Sequence, residues 1–290
     1  MRARSLLLCG ALLALTATTL SGCTAPATDT LPDGITVDVH QQRPDIGIRQ
    51  LQIGIHNDTG RELTVTRLEF DSPQFTEPVS WTKAPTTIRS GVSADLPVLL
   101  SAASCTVDSP VATVSFDYVL ADGHSGTASV VALDEFERMP RINDEDCFAK
   151  SVSDVTAIEI LSAPRIVELD NGTTVGQLDL SITPTGATGS VTIDEALSTT
   201  LISQADALTG ETQAESDIGV AVSGTAAPSV VTLTLRPGRC DTHAVAEDKR
   251  GTIFGLRVTN SHGATGVYFV TSPDEIKIDL YRFVQAVCAG

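Results

Sequence analysis

The chain has 290 residues, 42% of them hydrophobic, 19% charged and only 4% aromatic. That balance excludes a disordered tail, a collagen-like chain and a coiled coil, and leaves room for one or two ordinary domains. The formal net charge of −17 argues against a nucleic-acid partner, because a phosphate backbone calls for a basic stripe.

Residues 1–23 carry Arg2 and Arg4, an apolar run of about a dozen residues, and then small residues. This is the layout of a secretory signal and is too short for a membrane span, the more so as Thr16, Thr18 and Thr19 interrupt it. Its exit, Leu20-Ser21-Gly22-Cys23, resembles the lipobox of bacterial lipoproteins: an aliphatic residue, two small ones, then cysteine. The resemblance implies cleavage between Gly22 and Cys23 and a lipid on the Cys23 thiol, with palmitate-type acyl chains holding the protein at the outer face of the cell membrane, or at the outer membrane of a two-membrane cell. Two chains anchor stably where one holds only marginally. Loss of Arg2 and Arg4 with the signal leaves the chain more acidic still. No later run of 18 apolar residues occurs. Residues 23–34, with Pro26 and Pro32 among small polar residues, read as the lipidated cysteine and a tether reaching at most about 3.5 Å per residue.

From residue 35 the pattern is strand-like. Leu51, Ile53 and Ile55 alternate with Gln50, Gln52 and Gly54, and Val114, Phe116, Tyr118 and Leu120 alternate with Ser115, Asp117 and Val119. Val175–Ile182, Val230–Leu235 and Ile276–Leu280 read the same way. Turn signals separate them at Asn57–Gly60, Asp122-Gly123, Asp170–Gly172 and Asn260–Gly263, and Asn171-Gly172 is the strongest hairpin signal. Helical evidence is confined to Asp194–Leu208, through Ala196, Leu197, Leu201 and Ile202, and the threonines there weaken it.

The two halves look like copies. Residues 113–136 align without gaps with 253–276, so that Gly123 meets Gly263, Gly126 meets Gly266, and Asp134-Glu135 meets Asp274-Glu275. Gln50–Ile55 resembles Gln177–Ile182. Of six cysteines, Cys9 leaves with the signal and Cys23 takes the lipid. Cys105, Cys147, Cys240 and Cys288 form an even set in an exported chain, which favours disulfides. Sequence order leaves three connectivities open; the repeat selects Cys105–Cys147 and Cys240–Cys288.

The expected fold is all-β: two tandem β-sandwiches, immunoglobulin-like in architecture, each with an internal disulfide. Residues 1–22 form the signal, 23–34 the tether, 35–150 the first sandwich and 151–290 the second, with the border near Lys150–Ser153. Trp81 precedes Cys105 and does not lie between two cysteines as in true immunoglobulin domains.

No catalytic, cofactor-binding or metal-ligating set emerges. The histidines are His40, His56, His124, His243 and His262; His124 and His262 fall in equivalent hairpin turns, where polar residues gather anyway. Cys240-Asp241-Thr242-His243 is a lone C-x-x-H without a partner pair. The acidic runs Asp134–Glu137 and Asn143–Asp146 lack the spacing of a calcium loop and read as solvated faces. One Trp and three Tyr argue against a carbohydrate platform, and two Met against copper handling. The expected function is a non-catalytic envelope lipoprotein that binds another envelope protein. The alternatives are a substrate-binding lipoprotein of an importer, which would show α/β lobes, and an envelope-acting enzyme using a triad assembled by the fold.

Overall fold

A computed structural model describes residues 31–106, 111–246, 248 and 250–289. The signal, the lipobox and Cys23 lie outside these residues. The first unit contains β1 (Ile35–His40), a 3₁₀ turn at Ile46–Ile48, β2 (Gln50–Asn57), β3 (Leu63–Asp71), β4 (Val79–Ser80), β5 (Thr86–Ile88), β6 (Val92–Leu99), β7 (Thr113–Leu120) and β8 (Ser125–Val131). Helix α1 (Arg138–Ser153) follows. The second unit contains β9 (Thr156–Ile160), β10 (Arg165–Glu168), β11 (Thr174–Pro184), β12 (Ser190–Leu197), β13 (Ile202–Ala205), β14 (Thr212–Gln213), β15 (Glu215–Ser223) and β16 (Ser229–Pro237). Helix α2 (Thr242–Ala246), β17 (Ile253–Thr259), β18 (Thr265–Thr271) and α3 (Asp274–Ala289) complete it.

Both units are antiparallel sandwiches built to one plan. In the first, β1-β2-β6 faces β4-β3-β7-β8; in the second, β10-β11-β16 extended by β13-β14 faces β15-β12-β17-β18. The central strands correspond one to one, and both units carry a register shift at the same point of the third strand of the plan, between Val65 and Arg67 in β3 and between Ile193 and Glu195 in β12. Period-two alternation explains the cores. Leu51, Ile53 and Ile55 of β2 pack with Leu68, Phe70, Phe116 and Tyr118, and Leu178, Leu180 and Ile182 of β11 with Phe254, Leu256 and Val258. The cysteines pair Cys105–Cys147 and Cys240–Cys288, one bridge in each unit, as the repeat implies. The Asn171-Gly172 hairpin joins β10 to β11, with Gly172 at φ 81°.

Three local readings need correction. Asp194–Leu208 is not helical: it is the end of β12, a bend, and β13. Thr199 Oγ1 accepts hydrogen bonds from the Leu201 and Ile202 amides and donates to the Gly251 carbonyl, so a side-chain turn wins over helix formation. Ile276–Leu280 is not a strand but the first half of α3. Leu280, Phe283 and Val284 are buried there, a helical spacing that the local alternation of Ile276, Ile278 and Leu280 conceals. Helix α1 carries no helical signature in the sequence because it has no single apolar stripe: Met139 and Ile142 enter the first core and Val152 the second. The aligned Asp-Glu pairs mark the starts of these helices. Asp134 Oδ1 and Oδ2 accept from the Arg138 and Met139 amides at 2.8 Å, and Asp274 and Glu275 occupy the first turn of α3.

Lys150–Ser153 is therefore the last turn of a helix that belongs to both cores. Phe148 of α1 lies against Gly266 on β18, where an added Cβ would come within 2.9 Å of its ring. Helix α3 is fixed by Phe283 over Gly176 and by Tyr281, whose Oη donates to Asp248 Oδ2 at 3.0 Å. Burial, then the Asp248 charge, pushes the Tyr281 phenol up to about 12. The unfolded phenol titrates near about 10. The folded state thus holds this proton more tightly, and the associated stability is lost as pH rises from about 10 towards about 12. Tyr281→Phe is expected to flatten that alkaline loss in pH-dependent melting; an unchanged profile would contradict it.

Candidate functional site

The outer face of β1-β2-β6 holds a compact polar cluster. With Val37 and Val39 directed into the core, Asp38 and His40 point outward, and the register sets Asp38 opposite Gly54 and His56 opposite Ser93. Gly54 is the enabling residue: a Cβ there would fall 2.2 Å from Asp38 Oδ1, so only glycine lets the Asp38 carboxylate lie across β2. Lying there, Asp38 reaches two histidines. His56 Nε2 is 2.7 Å from Oδ1 and His40 Nδ1 is 2.9 Å from Oδ2. Proton donation from His56 Nε2 leaves its Nδ1 to accept from Ser93 Oγ. His40 Nε2 in turn stands 3.5 Å from Asp95 Oδ2, which also accepts from Gln42 Nε2 at 3.1 Å.

The Ser93–His56–Asp38 order is that of a nucleophile, base and orienting carboxylate. Here it lies on the open face of a sheet, and its side chains are half exposed. Beside it opens a pocket of about 430 Å³ whose lining includes Asp38, His56, Asp58, Glu135, Leu133 and Phe136. Part of its rim, Leu133 and Phe136, is apolar and bare. Val131 at the end of β8 and Leu133 and Phe136 just beyond it are 66%, 54% and 70% exposed, and among the described residues β8 pairs on one side only, with β7. The Leu133 amide and carbonyl then cross to β1, bonding the Val37 carbonyl and the Val39 amide, so this segment is held firmly in place.

Of the residues weighed from sequence, His40 and His56 come together here. His124 sits in the β7–β8 turn with its ring 6.2 Å from that of Tyr118, and His262 occupies the equivalent β17–β18 turn of the other unit. Asp38, Ser93 and Asp95 were not singled out from sequence. The available signal was Gly54 in mid-strand, which marks close approach of another group. Cys240 and Cys288 are joined in a disulfide, so Cys240 is not a free thiolate beside His243.

No protein-family model matches the chain, and no curated protein sequence does. Among solved structures it is similar to a biofilm-associated protein BSP domain, at 8% identity and TM-score 0.20, over 88% of this chain and 60% of that one. It is also similar to the Pseudomonas aeruginosa CupB2 chaperone, at 12% identity and TM-score 0.21, over 78% and 93%. A third is the Amycolatopsis orientalis exo-chitosanase CsxA, at 14% identity and TM-score 0.19, where the match spans 26% of that chain. At these scores the likenesses carry no argument about function.

Proposed function

We propose that the chain is an exported, lipid-anchored, non-catalytic module whose first unit binds another envelope protein along β8 and the adjoining pocket. The observation that carries this reading is the bare apolar group of Val131, at the end of β8, and Leu133 and Phe136 just beyond it, next to a pocket bearing Asp38, Asp58 and Glu135. The open edge of β8 up to Val131 accepts an extended segment by main-chain hydrogen bonding, Leu133 and Phe136 beyond it offer apolar side chains, and the acidic pocket favours a segment in which Lys or Arg accompanies apolar side chains. The lipid on Cys23 and the short tether keep this face near the membrane, where such partners are met.

Two substitutions separate the parts of the proposal. Cys23→Ala is expected to abolish membrane attachment and leave an uncut precursor; normal fractionation of the variant with membranes would refute the anchor. Leu133→Asp combined with Phe136→Asp is expected to stay anchored, keep both disulfides, and lose a stoichiometric partner recovered by in-cell crosslinking and purification of the native chain. Recovery of the same partner in the same amount from this variant would refute the binding face.

A further inference from the structure

A second site lies between the two units, independent of the face just described. Its floor is formed by Ile253, Val267 and Phe269 on β17 and β18, its walls by α1 and by the segment leading into β2, and it encloses about 360 Å³. Four arginines line it, Arg49, Arg138, Arg141 and Arg250, in a chain where 36 acidic residues outnumber 19 basic ones. Such a concentration of guanidinium groups needs a reason, because the mean field of this molecule is negative.

The internal pairing leaves charge unspent. Arg141 Nε donates to Glu145 Oε1 at 2.9 Å within α1. Arg49 pairs with Asp146 Oδ1 and donates through Nη2 to the Ser101 carbonyl at 2.7 Å. Arg250 has its guanidinium carbon 5.1 Å from the Phe269 ring centre, a cation–π contact. Among the described residues, neither Arg250 nor Arg138 has a carboxylate partner. On the acceptor side, Asp146 Oδ2 is buried with no hydrogen-bond partner. Burial raises the Asp146 carboxyl above its ordinary value, against the pull of Arg49. The backbone is strained at the same place. The two non-glycine residues with positive φ among those described are Arg49, at 55°, and Glu137, at 50°, immediately before Arg138.

We propose that this groove binds a small carboxylate with an apolar body. The carboxylate is held by Arg138 and Arg250, and an apolar body rests on Ile253, Val267 and Phe269. Planar guanidinium groups suit a carboxylate through paired N–H bonds. Because α1 enters both cores, the two sides of the groove are joined by one helix, and the site is formed before the ligand arrives.

The test is calorimetric titration of the intact, disulfide-bonded chain with three probes: N-acetylphenylalanine, its uncharged amide, and glucuronate. N-acetylphenylalanine is expected to bind saturably and the amide at least about tenfold more weakly, the loss of one charge-assisted pair. Stronger binding of glucuronate than of N-acetylphenylalanine would assign the site to sugar acids, and the reverse to peptide carboxylates. Arg138→Gln and Arg250→Gln, each checked for an unchanged melting temperature, are expected to weaken the better carboxylate by about tenfold. Equal binding of acid and amide, unchanged affinity in the arginine variants, or no carboxylate binding tighter than about 1 mM would overturn the proposal.

Discussion

The double variant Cys105→Ser/Cys147→Ser is expected to lose about 2–5 kcal/mol of stability, the usual cost of removing a native bridge from a small domain. The bridge spans 42 residues and ties the segment after β6 to α1. Its loss frees the unfolded chain and also releases the helix that carries Met139 and Ile142 into the first core and Val152 into the second. The destabilisation should therefore reach both units, and thermal unfolding should shift as a whole. Calorimetry checks this. A variant that melts within about one degree of the native chain, or in which only a first-unit transition moves, would contradict the role assigned to α1.

Phe254→Ala is the second large effect, expected at about 3–5 kcal/mol. Phe254 is fully buried on β17, between Phe269-bearing β18 and the register-shifted β12, and belongs to the core that also receives Leu280 and Phe283 of α3. Truncation there removes apolar area and leaves a cavity that two sheets and a helix cannot close together. Denaturant unfolding should show a lower midpoint with an unchanged slope. A loss below about 1 kcal/mol would mean that the second core is looser than its burial indicates.

How far the fold could be read beforehand depended on whether a signal was local. The alternation in Leu51–Ile55 and Val175–Ile182, the Asn171-Gly172 turn and the cysteine pairs are all local or repeated, and all were legible. Helix α1 was not, since its apolar residues serve two different cores and present no single face. Helix α3 was masked because three alternating residues at its start imitate a strand. The polar cluster was half legible: His40 and His56 are conspicuous, but their meeting depends on a register that places Asp38 over Gly54 and Ser93 beside His56. The arginine groove was not legible at all. Arg49, Arg138 and Arg250 come from three distant segments that meet only when the two units share α1.

The histidine–carboxylate cluster matters to the proposed function through charge and shape. Asp38 holds two imidazoles in fixed orientation beside the pocket, so a partner meets a preformed polar surface next to exposed Leu133 and Phe136. Half-exposed pairs of this kind contribute more to steering and specificity than to stability.

The most direct test of the binding face is site-specific photocrosslinking in cells, with the photoreactive residue placed at position 136 or, as control, at position 208. Phe136 and Leu208 are both strongly exposed, at 70% and 83%, but Leu208 lies in the second unit, in the turn between β13 and β14. One defined protein adduct is expected from position 136, lost in the Cys23→Ala background, and none from position 208. No adduct at 136, or the same adducts from both positions, would contradict it.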